Sequence, residues 1–298
     1  MSGSYILVGI IIGVILYLIS RTRYLLFHGF IEISSVMIAF AVFAIGWNSK
    51  KFTETSFFLY IGVTYLFVGL IDLLHTLAYS GMGVFPEYDA NLPTQLWIVA
   101  RYIQSISLFG ILYFRNKKFN EYGVFTFYLL VSAIAVASIF LRVFPVCYIE
   151  GIGLTSFKVV SEYVIILVLI SSIVFLYRSS EDFDISFRDP LYAALFLNVA
   201  AELSFTLYVD VYGIANMVGH YFKLLSFIFI YITLVRGSLT DPYHNLFRNL
   251  ERSRQEETER AEKLSEINED LEAFTSAISH DIRTPLMVIE GNAELLED

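Results

Sequence analysis

The chain has 298 residues, 56% hydrophobic and only 16% charged, with a mean hydropathy of +0.64. Soluble domains carry fewer apolar and more charged residues, so membrane spans are the first expectation. The net charge of -9 is uneven: residues 236–298 hold 7 Lys+Arg and 15 Asp+Glu, which is -8 of it, and so acidic a tail excludes nucleic-acid binding, which needs a basic face.

The N-terminus, "MSGSYILVGIIIGVILYLISRTR", has no basic leader region and no small-residue cleavage site. It reads as a retained span. Tyr5 to Ser20 is short for a crossing, roughly 24 Å of helix against about 30 Å of hydrocarbon. Gly9 and Gly13 form a small-xxx-small pair that hints at close helix packing. Apolar runs then predict about eight helices, at 5–20, 24–47, 56–79, 94–114, 120–142, 157–177, 190–209 and 214–235. No internal repeat is visible, which weakens a transporter reading. Cys147 is the single cysteine, so no intrachain disulfide and no cysteine-based metal knuckle exist.

Topology follows from Lys and Arg in the short loops. With the tail cytoplasmic, the inside segments hold Lys50, Lys51, Arg115, Lys117, Lys118, Arg178, Arg188 and Arg236. The outside segments hold Arg21, Arg23, Arg142 and Lys158, and the outer loop "SGMGVFPEYDANLP" has neither residue type. The bias places both termini inside, with Arg21 and Arg23 dissenting.

After Arg236, Gly237 and Pro242 break the apolar pattern, and a long polar helix is expected from about Tyr243. Ala261, Leu264, Asn268, Leu271, Thr275 and Ile278 follow 3,4 spacing, the a and d positions of a short two-stranded coiled coil. Asn268 falls at an a position, where a buried amide fixes register. A single solvated helix with chance spacing is the plain alternative. His280 then falls at f, facing away from the seam, as a phosphoacceptor requires. A neutral imidazole is the nucleophile such chemistry uses. Asp281 can orient the ring or accept its proton, and Pro285 loosens the helix just after the site.

Alone, His280 would be a surface histidine on an amphipathic helix. The full string "FTSAISHDIRTPLMVIEGNAELL" resembles the first helix of the histidine-kinase dimerisation and phosphotransfer domain, over about thirty residues. The resemblance implies that His280 is phosphorylated, that Asp281 assists phosphotransfer, that the chain forms a homodimer through the coiled coil, and that a response regulator is its partner. ATP and Mg enter only through an ATP-binding domain absent from this sequence, as is the second helix of the hairpin. The expectation is the N-terminal part of a longer kinase, inactive alone.

Ionisable residues inside spans are costly and point to function. His28 and Glu32 share a face of the second helix, and Asp72 and His75 a face of the third, with Tyr79 a turn on. The fourth carries Arg101, with Trp97 a turn before it; the seventh Glu202, with Asp210 near its end; the eighth His220, with Lys223 at i+3. By topology His28, Glu32, Asp72, His75, Arg101, Glu202 and His220 lie in the outer half of the membrane, so a polar cluster is expected beneath the 80–93 loop. Each residue has a plainer role: His in helix–helix hydrogen bonds, Glu32 or Glu202 pairing Arg101. Three His with carboxylates (His28, His75 and His220) are a donor set for zinc, copper or iron. Two His suffice for axial haem ligation. Equally, the cluster can titrate or receive a small ligand with no metal.

The stretches "LFHGFIEISSVMIAFAVFAIGWNS", "YLFVGLIDLLHTLAYSGMGVF", "TQLWIVARYIQS" and "AELSFTLYVDVYGIANMVGHYFKLLSFIFIY" are similar to the third type of membrane-associated sensor domain, across most of residues 24–240. His28, Glu32, Asp72, His75, Trp97, Arg101, Glu202 and His220 match that family's pattern. The resemblance implies a sensor and names no stimulus.

The reading is therefore an all-α polytopic membrane bundle of about eight spans with a C-terminal cytoplasmic coiled-coil helix. Its parts are a sensor domain (1–236), a linker and signalling helix (237–270) and an incomplete phosphoacceptor domain (271–298). It sits in the cell membrane among lipids, multi-pass, and controls phosphorylation of His280. The alternative is a membrane haem or metal redox protein, or a transporter.

Overall fold

The structure is a computed structural model and describes residues 3–50, 56–206 and 213–297. It divides into two compact units, 1–241 and 242–298, each taken here by itself. In the first unit α1 (Gly3–Thr22), α2 (Tyr24–Ser49), α3 (Phe57–Ala78), α4 (Asn91–Tyr113), α5 (Glu121–Phe140), α6 (Ser156–Arg178), α7 (Ile185–Thr206) and α8 (Ile214–Val235) follow one another. They match the predicted helices to within a few residues at most ends, and the all-α class holds.

The expected eight spans are not confirmed. Among the described residues six helices are long and apolar enough to cross a membrane: α2, α3, α4, α5, α6 and α8, the last extended to Ser238. In α1 the apolar helix that qualifies is only Gly9–Thr22. α7 is long enough, but Arg188, Asp189, Asn198 and Glu202 make it too polar. It is nonetheless packed into the bundle, where those polar groups need not meet lipid.

Neighbouring helices run α2–α3–α4–α6–α7–α8 and back to α2, a closed ring. α5 lies against α3 and α4, and α1 against α2. α3 and α4 are the most buried spans, α5 the least. Outward residues such as Met37, Ile134 and Leu167 are apolar and exposed, the pattern of a lipid-facing surface.

α2 and α3 approach through small residues spaced seven apart on each helix. Gly46 meets Gly62, and Ala39 meets Gly69; a Cβ added at Gly46 would lie 2.4 Å from the Phe58 carbonyl oxygen and 2.9 Å from Gly62 Cα. Such seams let helix backbones touch where no water drives them together. The Gly9/Gly13 pair does not play this part: a Cβ at either meets nothing within 4 Å. α1 is held instead by Tyr221, whose hydroxyl donates to the Gly13 carbonyl at 2.9 Å.

One pair of short strands was not foreseen. β1 (Tyr148–Ile149) and β2 (Gly153–Leu154) form an antiparallel hairpin whose turn uses Gly151 and Gly153 at positive φ. The Asn91 side chain accepts from the backbone of Cys147 and Tyr148. Gln95 donates to the carbonyls of Phe144 and Pro145. These bonds dock the 141–155 segment on the start of α4.

After α8 the chain stays helical. Gly237 does not open a loop; residues 236–240 form one π-helical turn. In the second unit α9 (Asp241–Glu297) is a single 57-residue helix that contains Pro285. Leu264, Ile267, Leu271, Phe274 and Ile278 are exposed along it. Asn268, expected in a dimer seam, donates to Glu272 Oε1 one turn on.

Candidate functional site

Six of the seven predicted membrane residues meet in one network inside the ring, at the end of the bundle that carries the 79–90 loop. His28, Glu32, Asp72, Arg101 and His220 are at most 2% exposed, and His75 is 6% exposed. Glu32 of α2 is gripped by two side chains of α8: His220 Nδ1 donates to Oε1 at 2.9 Å, and Lys223 Nζ to Oε2 at 2.6 Å. Lys223 also reaches Asp72 Oδ2 of α3 at 2.9 Å. Arg101 of α4 donates through Nη2 to both Asp72 oxygens at 2.7 Å and through Nη1 to Gln104. Gln104 passes the chain on to Tyr65 and Asn198. Two cations and two carboxylates are thus interleaved across α2, α3, α4 and α8. That is the arrangement which lets buried charges persist without water.

Above this network lie three imidazoles. The His28 ring stacks on Tyr79 at 3.7 Å and meets His75 at 5.5 Å and His220 at 4.8 Å, centroid to centroid. His75 Nδ1 donates to the Pro93 carbonyl at 2.8 Å. Among the described residues neither nitrogen of His28 has a hydrogen-bond partner, nor has Nε2 of His75. Trp97 packs against His75, Phe205 and His220, with the Arg101 guanidinium 4.6 Å from its ring centroid.

A cleft with about 530 Å³ of atom-free space, partly open to the outside, leads to His75 and His220. Its lining includes His75, Tyr79, Trp97, Phe205, Asn216 and His220, and also Lys158. Lys158 is 1% exposed; its ammonium pairs with Glu162 at 2.5 Å and donates to the Phe205 carbonyl. It is therefore an internal ion pair rather than a charge in the outer loop, and its removal from the loop count strengthens the lysine and arginine bias.

Glu202 is buried on α7, but among the described residues no hydrogen bond joins it to the Glu32–Arg101 network, and its Oε2 has no partner there. Arg101 pairs with Asp72, so the expected Arg101 partnership with Glu32 or Glu202 is not the one formed. Lys223, Gln104, Tyr65, Asn198 and the Lys158–Glu162 pair were not among the predicted site residues. The i,i+4 spacing of Lys158 and Glu162 and the i,i+3 spacing of His220 and Lys223 were the signals available. Tyr65 carried none, being one of 20 tyrosines, and Gln104 and Asn198 are uncharged, so a search for ionisable residues passes over them. Asp210 lies outside the described residues. His280 and Asp281 belong to α9, and their side chains, with the orientation expected for His280, also lie outside them.

A bundle with a buried charge network, followed by a long polar helix, is the plan of a membrane receptor. The profile of the MASE3 membrane-associated sensor domain matches residues 19–242. This span is most of the chain, and the chain belongs to that family. The profile of the His Kinase A (phospho-acceptor) domain matches residues 270–298. The two together make this the membrane sensor part of a histidine kinase. No curated protein and no solved structure matches the chain.

Proposed function

We propose that the His28–Glu32–Asp72–His75–Arg101–His220 cluster is the sensing site, and that it acts on the phosphoacceptor through α8. The observation that carries this reading is the double hold of α8 on Glu32. His220 and Lys223 sit on the last helix of the sensor, and the chain runs from α8 through a π turn directly into the helix that contains His280. A stimulus that changes who holds Glu32 changes the position of α8 relative to α2. The short connection in sequence between α8 and α9 offers a path for that change. π-helical turns often mark functional sites.

The exposed stripe of Leu264, Leu271 and Ile278 on α9 supports a homodimer with a partner helix over it. His280 would then take the phosphoryl group with Asp281 assisting, and pass it to a response-regulator aspartate. With Lys158 internal, the remaining charges favour both termini in the cytoplasm. The spacing of the histidines favours a small ligand, ion or proton over haem. A haem held by two of these histidines would need room for its macrocycle between their rings. Here the rings touch, at 4.8 and 5.5 Å.

The test is Lys223→Met in the full-length kinase. Its basal rate of His280 phosphorylation is expected to shift and its stimulus response to flatten. A rate and response equal to wild type would refute the reading.

A further inference from the structure

Buried polar atoms without partners cost about 1–3 kcal/mol each and are rare in native proteins. Three of them converge here, both nitrogens of His28 and Nε2 of His75. One nitrogen of each ring and one oxygen of Glu32 lie within 4.8 Å of one another. The His75 tautomer is already set: its Nδ1–H is committed to the Pro93 carbonyl, so the neutral ring presents a bare lone pair at Nε2. A ligating histidine fixed by a carbonyl on its other nitrogen is a recurrent feature of metal sites. His220 stands behind the third donor, its Nδ1 bonded to Glu32 Oε1.

We propose that His28, His75 and Glu32 bind one divalent transition-metal ion of the zinc type, and that binding it takes Glu32 away from Lys223 of α8. This rests on the reading of the cluster as the sensing site. Two imidazoles and a carboxylate suit zinc, and three protein ligands leave a fourth position for water. The cleft that reaches His75 gives the ion a way in.

The second half of the proposal follows from distances. Zinc holds its ligand atoms at about 2.0–2.2 Å, so no two of them are more than about 4 Å apart. Donors spread over as much as 4.8 Å must draw together. The carboxylate that moves is the one Lys223 holds at 2.6 Å. A dication beside that ammonium is repelled by it, so ion and Lys223 compete for Glu32. Lys223 has a second partner to fall back on, Asp72 at 2.9 Å. Binding thus exchanges the Lys223 tie between α2 and α8 for an α2–α3 tie, since His28 and Glu32 lie on α2 and His75 on α3.

The purified full chain, stripped with chelator and returned to lipid nanodiscs, is titrated with Zn²⁺ and with Co²⁺ as a visible probe. Expected are stoichiometric binding, cobalt bands of a four-coordinate site, and loss of both in His28→Phe, which keeps a ring against Tyr79. Lys223→Met is expected to tighten binding by about tenfold or more, because it removes the competing cation. A merely structural lysine would not have that sign. Glu32→Gln keeps an acceptor for His220 and serves where a histidine variant fails to fold; it too should lose the metal. Sub-stoichiometric binding in wild type, or weaker binding in Lys223→Met, overturns the proposal. His280 phosphorylation, followed in parallel in the full-length kinase, separates the two layers. Metal bound with no change in phosphorylation overturns the sensing reading and leaves the metal site standing. Phosphorylation that responds to Glu32→Gln in a protein that binds no metal overturns the metal and leaves the sensing reading.

Discussion

Arg101→Met is the sharpest test of the charge network. Arg101 is 2% exposed and gives two 2.7 Å hydrogen bonds to Asp72. Removing one partner of a buried ion pair costs about 3–5 kcal/mol, because the other charge is left uncompensated. Asp72 keeps Lys223 at 2.9 Å, so the low end applies, about 3 kcal/mol. For a domain of this size each kcal/mol moves Tm by about 2–4 °C, giving a fall of roughly 6–12 °C. Cys147 supplies the assay. It is the single cysteine, wholly buried, and burial pushes its thiol up to about 12. A thiol-reactive dye therefore reports unfolding and little else. The double variant Arg101→Met/Asp72→Leu should lose less than the two single losses combined, since the pair is removed together. A shift under about 2 °C, or strictly additive losses, would refute the reasoning.

The same assay checks three further expectations. Gly46→Ala should lower Tm by several degrees, because its Cβ would overlap the Phe58 carbonyl and Gly62, whereas Gly9→Ala, with open space, should leave it unchanged. Tyr128→Phe removes a hydroxyl that donates to Ser107 at 2.7 Å and accepts from Thr64 at 2.9 Å. Hydrogen bonds within membranes average about 0.6 kcal/mol, so a fall of only a few degrees is expected. At pH 8 native Cys147 should resist alkylation while the unfolded chain reacts, its thiol then near the ordinary value of about 8.5; equal rates would show the loop open.

The helices were legible because long apolar runs leave few other solutions in a membrane. The depth of His28, His75 and His220 was legible too, since alternating spans convert sequence position into height. The partners were not. Nothing in the spacing says that Arg101 chooses Asp72 over Glu202, because that choice depends on rotation of α3 and α7 about their axes. The α2–α3 glycine seam was missed for a related reason: Gly46 and Gly62 are ordinary in a span until the two helices are placed side by side. Glu202 marks a different limit. The apolar run at 190–209 offered α7 as a span, yet it is too polar to qualify, and its place in the ring explains how Asn198 and Glu202 come to be buried. The hairpin at 148–154 is too short for periodicity to reveal, although Gly151 and Gly153 announce its turn.

The central claim is that α8 transmits through its hold on Glu32. The direct measurement is the rate of His280 phosphorylation in the full-length kinase for wild type, Glu32→Gln, Lys223→Met and the double variant. Each single variant is expected to shift the rate in the same direction, and the double no further than the larger single, because both cut one tie. Rates equal to wild type, or two independent effects that multiply, would contradict the account.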